Sequence, residues 1–237
     1  MKGVNAVPAP RAGTGHVTAV CVVHEIIPNP GETPDVTAID KRPRPGRLEV
    51  ADLGFVLDTQ VDRRYHGGPE QALYAYADED ADWWAGELGR DVPPGLFGEN
   101  LRTQGIEVSR AEIGERWRLG DGDGAVLVEV TAPRTPCMTF QKRMDEERWI
   151  KRFTRAGLAG AYLRVVTPGT LGAGDAVRLE HRPGHGVTVA DLLAGGGPAA
   201  LRLLEAHEAG VVALGPKVHR VVRRRTWRLR AAAAGGT

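Results

Sequence analysis

Glycine and proline interrupt this chain so often that long regular elements have little room. Of 237 residues, 31 are glycine and 16 are proline. Glycine supplies turns with positive φ, and proline removes a backbone donor, so each tends to end a helix or strand. Between these breaks lie short apolar runs rich in β-branched residues. Such spacing predicts many short strands joined by turns, curled into a mainly β, barrel-like domain with a few helices, an α+β chain overall. The length suits one large domain, or one of roughly 150 residues with a small appendage.

Residues 1–15 are small and rich in proline and glycine, and are expected to be disordered. HVTAVCVVHEI (16–26) reads as a buried strand. Residues 28–46 hold five prolines and read as a long loop with a short strand at VTAID. RLEVADLGFVLD gives one or two strands, and YHGGPEQALYAYA (65–77) a Gly-Gly turn followed by another. Asp78 looks like an N-cap, with Ala81, Trp84, Ala85 and Leu88 at helical spacing and Gly89 as the stop. Residues 95–101 form a glycine-punctuated loop. Residues 114–132 carry a hairpin pattern joined at Asp-Gly-Asp-Gly. A second helix is expected over 144–156, with Trp149, Ile150 and Phe153 inward and Gly157 at its end. Two more strands, in GAYLRVVTPG and DAVRLEH, complete a β domain over 16–183. Residues 186–230 then read as three short helices.

The net charge is +1, but it is unevenly spread. Residues 217–230 contain Lys217 and six arginines with no acid, which leaves the remainder at −6. Such a tract has two readings: a nucleic-acid-binding helix or a solvated, partner-facing surface. The single tract and the acidic body favour the second, so nucleic acid is not the expected partner. Two cysteines make no disulfide framework. The N-terminus lacks the apolar core of a signal peptide, and no stretch of 18 apolar residues suggests a membrane span. The expectation is a cytoplasmic protein with reduced thiols.

Cys21 sits inside a continuous apolar run and reads as core filling. Cys137 follows a strand in TAPRTPC, where Pro133 and Pro136 stiffen the loop and Arg134 favours a thiolate. It has three open readings: core, nucleophile and metal ligand. His66-Gly67-Gly68 is either a plain turn or a place where backbone approaches a ligand and offers N–H groups to an anion. In Gly98-Glu99-Asn100, Asn100 suits a polar ligand and Glu99 can accept a hydrogen bond or a proton, against a bland reading as turn chemistry. No dinucleotide fingerprint, Walker motif or CxxC pair occurs.

The ordered trio His66-Gly67-Gly68, Phe97-Gly98-Glu99-Asn100-Leu101 and Arg134-Thr135-Pro136-Cys137 resembles the MOSC domain family, named for the C-terminal domain of molybdenum cofactor sulfurases. The resemblance covers about residues 16–230. It is nearest to the stand-alone bacterial type, whose β domain precedes a three-helix module. It implies a β-barrel-like fold and binding of the pterin-dithiolene molybdenum cofactor, or handling of its sulfur. Cys137 takes the position of a thiolate ligand to molybdenum, with His66, Gly67, Gly68, Glu99, Asn100, Arg134 and Thr135 around the same pocket. Two departures stand out. Leu57 occupies a place where relatives usually have glycine before the aspartate, and Met138-Thr139-Phe140 follows the cysteine where some relatives carry a lysine. A cofactor-anchoring charge would then come from elsewhere, such as Lys142 or Arg143.

The resemblance implies an oxidoreductase that reduces N-hydroxylated compounds of the hydroxylaminopurine or amidoxime type. The chain carries no flavin or iron–sulfur motif, so that reading needs an external electron-transfer reductase. Pyridoxal phosphate is not expected, because no lysine lies in a Schiff-base context. The alternative is a cofactor carrier or sulfur-transfer protein with a persulfide on Cys137. The oligomeric state is open, a dimer being one option.

Overall fold

The computed structural model describes residues 13–62 and 67–234, the side chains of 228–234 excepted. In chain order the strands and helices are β1 (Thr14–Pro28), β2 (Val36–Pro43), β3 (Leu48–Ala51), β4 (Gly54–Phe55), β5 (Leu73–Ala77), α1 (Asp78–Leu88), β6 (Leu101–Gln104), β7 (Arg116–Leu119), β8 (Val126–Pro133), α2 (Met138–Met144), α3 (Trp149–Ala156), β9 (Ala161–Thr167), β10 (Gly169–Leu171), β11 (Ala176–His181), α4 (Val189–Ala194), α5 (Gly197–Glu208) and α6 (Pro216–Ala234).

The main sheet runs β11-β7-β8-β9-β5-β6-β1-β2, and a further β1–β11 pairing closes seven of these strands into a barrel. Neighbours are antiparallel except β5 and β6, which α1 joins by a crossover. β2 lies outside the closure, on β1 alone. β1 serves both roles because its register slips, once against β6 and twice against β2. Each slip bends the strand. Its first half closes the barrel, and its second half projects with β2 as a hairpin. β3, β4 and β10 form a small separate sheet.

Closing the barrel buries one face of each strand. Val17, Leu73, Leu101, Trp117, Val128 and Leu163 fill the interior. The same core continues without a break into Val189, Leu192, Leu203 and Val222 of the three C-terminal helices. A second cluster lies outside the barrel, where Trp84, Phe97, Phe140, Trp149 and Phe153 pack beneath α1, α2 and α3. Trp84 and Trp149 approach to 4.5 Å between ring centroids, and Phe140 and Phe153 to 5.1 Å edge to face. Such pairs add about 0.5–1.5 kcal/mol each beyond area burial.

Several expectations need correction. Thr14 and Gly15 pair with Arg178 and Val177, so ordered strand begins inside the segment expected to be disordered; residues 1–12 lie outside the described ones. Asp78 is the first helical residue of α1, with Ala77 at the cap; its carboxylate joins Glu79 and Asp80 in the first turn, where the helix dipole favours acids. The helix expected over 144–156 begins only at Trp149, as α3; α2, which was not expected, precedes it and ends at Met144. Asp145 (φ 51°) and Arg148 (φ 53°) take left-handed conformations and break the run. Arg90 donates to the carbonyl of Met144 at 2.6 Å, and Arg152 reaches Glu146 at 2.9 Å, which holds the break. Trp149 and Phe153 are buried as expected, while Ile150 is half-buried.

Candidate functional site

One cavity, of about 160 Å³, opens between the β1–β2 hairpin, the segment after β4, and the start of α2. Its floor is a polar hub. The Asp58 carboxylate accepts from the Val23 amide at 2.8 Å and from the Asn100 side-chain amide at 2.8 Å, and pairs with the Lys41 ammonium. Burial pushes the Lys41 pKa below its ordinary value, while Asp58 opposes that shift. Asn100 also accepts from the Tyr74 amide at 3.1 Å and donates to the Cys21 carbonyl at 3.2 Å. Its amide therefore stitches the middle of β1 and the start of β5 to the cavity floor.

Cys137 lines the same cavity. It occupies the N-cap position of α2 with extended backbone and is half-buried. Arg134 lines the same cavity and is 5% exposed. Its guanidinium carbon lies 3.5 Å from the centroid of Phe140, and its Nη1 is buried with no acceptor among the described residues. An arginine N–H held this way lacks a hydrogen-bond partner that a bound anion would supply. Tyr74, Phe97 and Tyr162 give the cavity an aromatic side. Burial raises the pKa of Tyr162, against the lowering effect of Arg134, so its phenol stays protonated at neutral pH.

The residues singled out from sequence fall in different places. Asn100, Arg134 and Cys137 line the cavity together. Glu99 is fully buried beside it and does not line it: its oxygens accept from the amides of Gly95 at 2.8 Å and Phe97 at 3.0 Å, and pair with the buried Arg102. Glu99 thus sets the shape of the loop that carries Phe97 and Gly98 into the wall. Thr135 is exposed and is not part of the lining. Gly67 and Gly68 lie next to the cavity. Gly68 adopts φ 90°, and its amide donates to Gln60 Oε1 at 2.8 Å. Lys217 of α6 donates to the Gly67 carbonyl at 3.1 Å, so the helical segment holds this motif from outside the barrel. His66 lies outside the described residues.

Lys142 donates to the Pro30 carbonyl at 2.7 Å, and Arg143 pairs with Asp40 at 2.6 Å. Both tie α2 to the hairpin, and neither lines the cavity. Leu57 is 59% exposed. Cys21 is fully buried, and burial pushes its thiol up to about 12, in keeping with core filling. Sequence reasoning placed neither Lys41 nor Asp58 among the site residues. The available signal was a lysine inside the VTAID strand extension and an acid ending an apolar run.

Among the described residues, no group of three or more His, Cys, Asp or Glu side chains is arranged to hold a metal ion. A metal bound by Cys137 would bring ligands of its own, as a dithiolene-bound metal does. The donor set fits such a group: one thiol for a soft metal, one guanidinium with an unused N–H for an anionic part, and aromatic rings for a planar ring system.

The family model for the MOSC domain matches residues 62–178, which span β5 to β11 and include Cys137. YflK of Bacillus subtilis is 31% identical over 153 residues, covering 65% of this chain and 67% of its own length. A protein of Gibberella moniliformis named Reductase is 34% identical over 155 residues, covering 62% of this chain but 26% of that protein. The crystal structure of YiiM from Geobacillus stearothermophilus superposes with a TM-score of 0.69 at 22% identity, over 89% of this chain and 98% of that one, and shares its fold. The barrel, the matched core and the relative aligned over two thirds of its length agree: this chain belongs to the MOSC domain family.

Proposed function

We propose that this chain binds the molybdenum cofactor in the cavity between the hairpin and α2 and works as an oxidoreductase on N-hydroxylated compounds. The observation that carries this reading is that one cavity is lined by both a half-buried thiol and a guanidinium whose Nη1 lacks an acceptor. Membership of the MOSC family and the likeness to a reductase-named protein support the oxidoreductase class.

Cys137 would ligate the metal through Sγ, and Arg134 would pair with an anionic group of the cofactor. The bound cofactor supplies two-electron redox chemistry at its metal. Lys41, Asp58 and Asn100 keep the floor rigid, so the wall and floor hold their spacing. Tyr162 contributes a neutral hydroxyl, and the aromatic side packs against the planar ring system of the cofactor. In the overall reaction the N–O bond of a hydroxylamine breaks. Two electrons and two protons are taken up, and an amine and water leave. The electrons come from a separate reduced flavin or iron–sulfur protein.

The test uses protein from a host that makes the cofactor, assayed without oxygen with reduced methyl viologen and an N-hydroxylated purine. Conversion to the amine, lost in Cys137→Ala of unchanged fold, is the expected result. Equal conversion by Cys137→Ala would remove the thiol from its role. Cofactor-loaded protein that carries sulfane sulfur on Cys137 and converts no substrate would replace the enzyme with a sulfur carrier.

A further inference from the structure

Among the described residues, the exposed face of α6 is strongly charged, and neither the barrel nor the cavity explains it. At 100° per residue, Arg220, Arg223, Arg224 and Trp227 fall within about a third of the helix circumference. All four are exposed, Trp227 by 61%. The opposite face, with Val218, Val222 and Thr226, is buried against the core. None of these three arginines forms an ion pair with a described residue, although most of the chain's exposed arginines elsewhere do.

Keeping three guanidiniums together costs stability. Arg220 lies three residues from Arg223 and four from Arg224, and like charges at those spacings destabilise a helix by about 0.2–0.5 kcal/mol each. The helix dipole does not offset this, because residues 220–224 sit in the first half of a helix that runs from Pro216 to Ala234, not in its last turn. The sequence continues the pattern with Arg228 and Arg230 and places no acid anywhere in the helix. An external anion is what such a face fits.

The composition of the face points to a protein rather than a nucleic acid. The centre of the face is an exposed tryptophan among arginines, with Val221 43% exposed at its edge. Tryptophan and arginine are the residues enriched at protein–protein hot spots. The N-terminal end of the same helix reaches residues at the cavity. Lys217, one turn before Arg220 on the same helix, touches Gly67 and Gln71, and Gln71 lines the cavity. The face lies outside the residues matched by the family model, so it belongs to the helical segment and not to the barrel.

We propose that the Arg220–Arg223–Arg224–Trp227 face of α6 docks the acidic surface of the electron-donating flavin or iron–sulfur protein. This rests on the proposed oxidoreductase reading for the partner's identity, and on the charge and composition of the face for the contact.

The experiment compares the whole chain with Arg220→Glu/Arg223→Glu/Arg224→Glu and with the charge-keeping Arg220→Lys/Arg223→Lys/Arg224→Lys. The probes are an acidic FMN flavodoxin, an acidic [2Fe–2S] ferredoxin and a short DNA duplex. Binding is measured by calorimetry at ionic strengths of about 20 mM and about 300 mM, where screening lengths differ several-fold. Thermal melting confirms that each variant folds. The expected result is binding of at least one acidic redox protein that weakens about tenfold or more with salt. That affinity should fall by a similar factor in the glutamate variant and remain in the lysine variant. Reduction of the N-hydroxylated purine by methyl viologen should be unchanged in both, since the arginines lie outside the cavity, while the rate with the protein donor should fall in the glutamate variant. Equal protein-donor rates and affinities in parent and glutamate variant would overturn the docking face. Preference for the DNA duplex over both acidic proteins would overturn it in favour of a nucleic-acid surface. Docking that survives while methyl viologen drives no reduction would uphold the face and refute the proposed reaction.

Discussion

Asp58 shows at the level of one side chain how the site is held. It and Lys41 are nearly enclosed, and its carboxylate also takes two N–H donors. Removing one member of such a pair leaves an uncompensated buried charge, which costs about 3–5 kcal/mol. Asp58→Ala should lower unfolding stability by that order in a denaturant titration, and Asp58→Ala/Lys41→Met should recover part of it. A single variant as stable as the parent would show that the hub is solvated. The two cysteines should differ in reactivity, because Cys21 is fully buried with its thiol pushed up to about 12 while Cys137 is half-buried at a cavity. A maleimide added to folded protein should modify Cys137 alone, and peptide mapping reads the site; modification of Cys21 first would contradict the assignment. Asp80 sits against Ser109, at 2.6 Å, and burial raises its carboxyl to about 6. An unfolded aspartate titrates near 4, so the folded protein binds the extra proton between about pH 4 and 6. The stabilising effect of that proton is complete below the unfolded value and is lost as pH rises through about 6. Asp80→Asn should therefore flatten the fall in melting temperature across that window and stabilise the protein above it, by about 1–3 kcal/mol. A parent whose stability rises with pH there while Asp80→Asn stays flat would reverse the sign and refute the account.

Elements differ in how openly the sequence announces them. The β7–β8 hairpin was legible because two apolar runs flank an Asp-Gly-Asp-Gly turn, and the end of α1 because Gly89 adopts φ 64°. The helices α4 to α6 were legible from their periodicity, and α4 also carries a capping box between Thr188 and Asp191. The break between α2 and α3 was not, since Asp145 and Arg148 are held in left-handed conformations by Arg90 and by Glu146–Arg152, contacts that only the tertiary structure supplies. The double role of β1 was hidden for the same reason: its register slips depend on partners from two other strands, β2 and β6. At the cavity, Cys137, Arg134 and Asn100 were visible as motif residues. Glu99 was read with its neighbour Asn100, but adjacent residues there face opposite ways, and Glu99 spends its oxygens on its own loop. Loop geometry makes a further prediction. Gly54 has φ 103°, and a β-carbon there would run into the carbonyl of Ala72. Gly54→Ala should cost more than about 1 kcal/mol, because both the conformation and the space refuse a side chain. A melting temperature equal to the parent's would show that β4 moves away freely.

For the molecule as a whole, a seven-stranded barrel, an aromatic cluster beneath α1 to α3 and a helical segment share the work around one cavity. The barrel fixes Asp58 and Asn100, the cluster supports the helix that begins after Cys137, and α6 reaches Gly67 through Lys217. No described helix is long and apolar enough to cross a membrane. The proposed site for a molybdenum cofactor on Cys137 is tested by elemental analysis of anaerobically purified parent and Cys137→Ala protein, with pterin fluorescence after oxidation. Molybdenum and pterin should be present in near-equal amounts, close to one per chain, in the parent, with molybdenum lost or reduced in the variant. Protein from a cofactor-producing host that contains neither, or a variant that retains both in full, would contradict it.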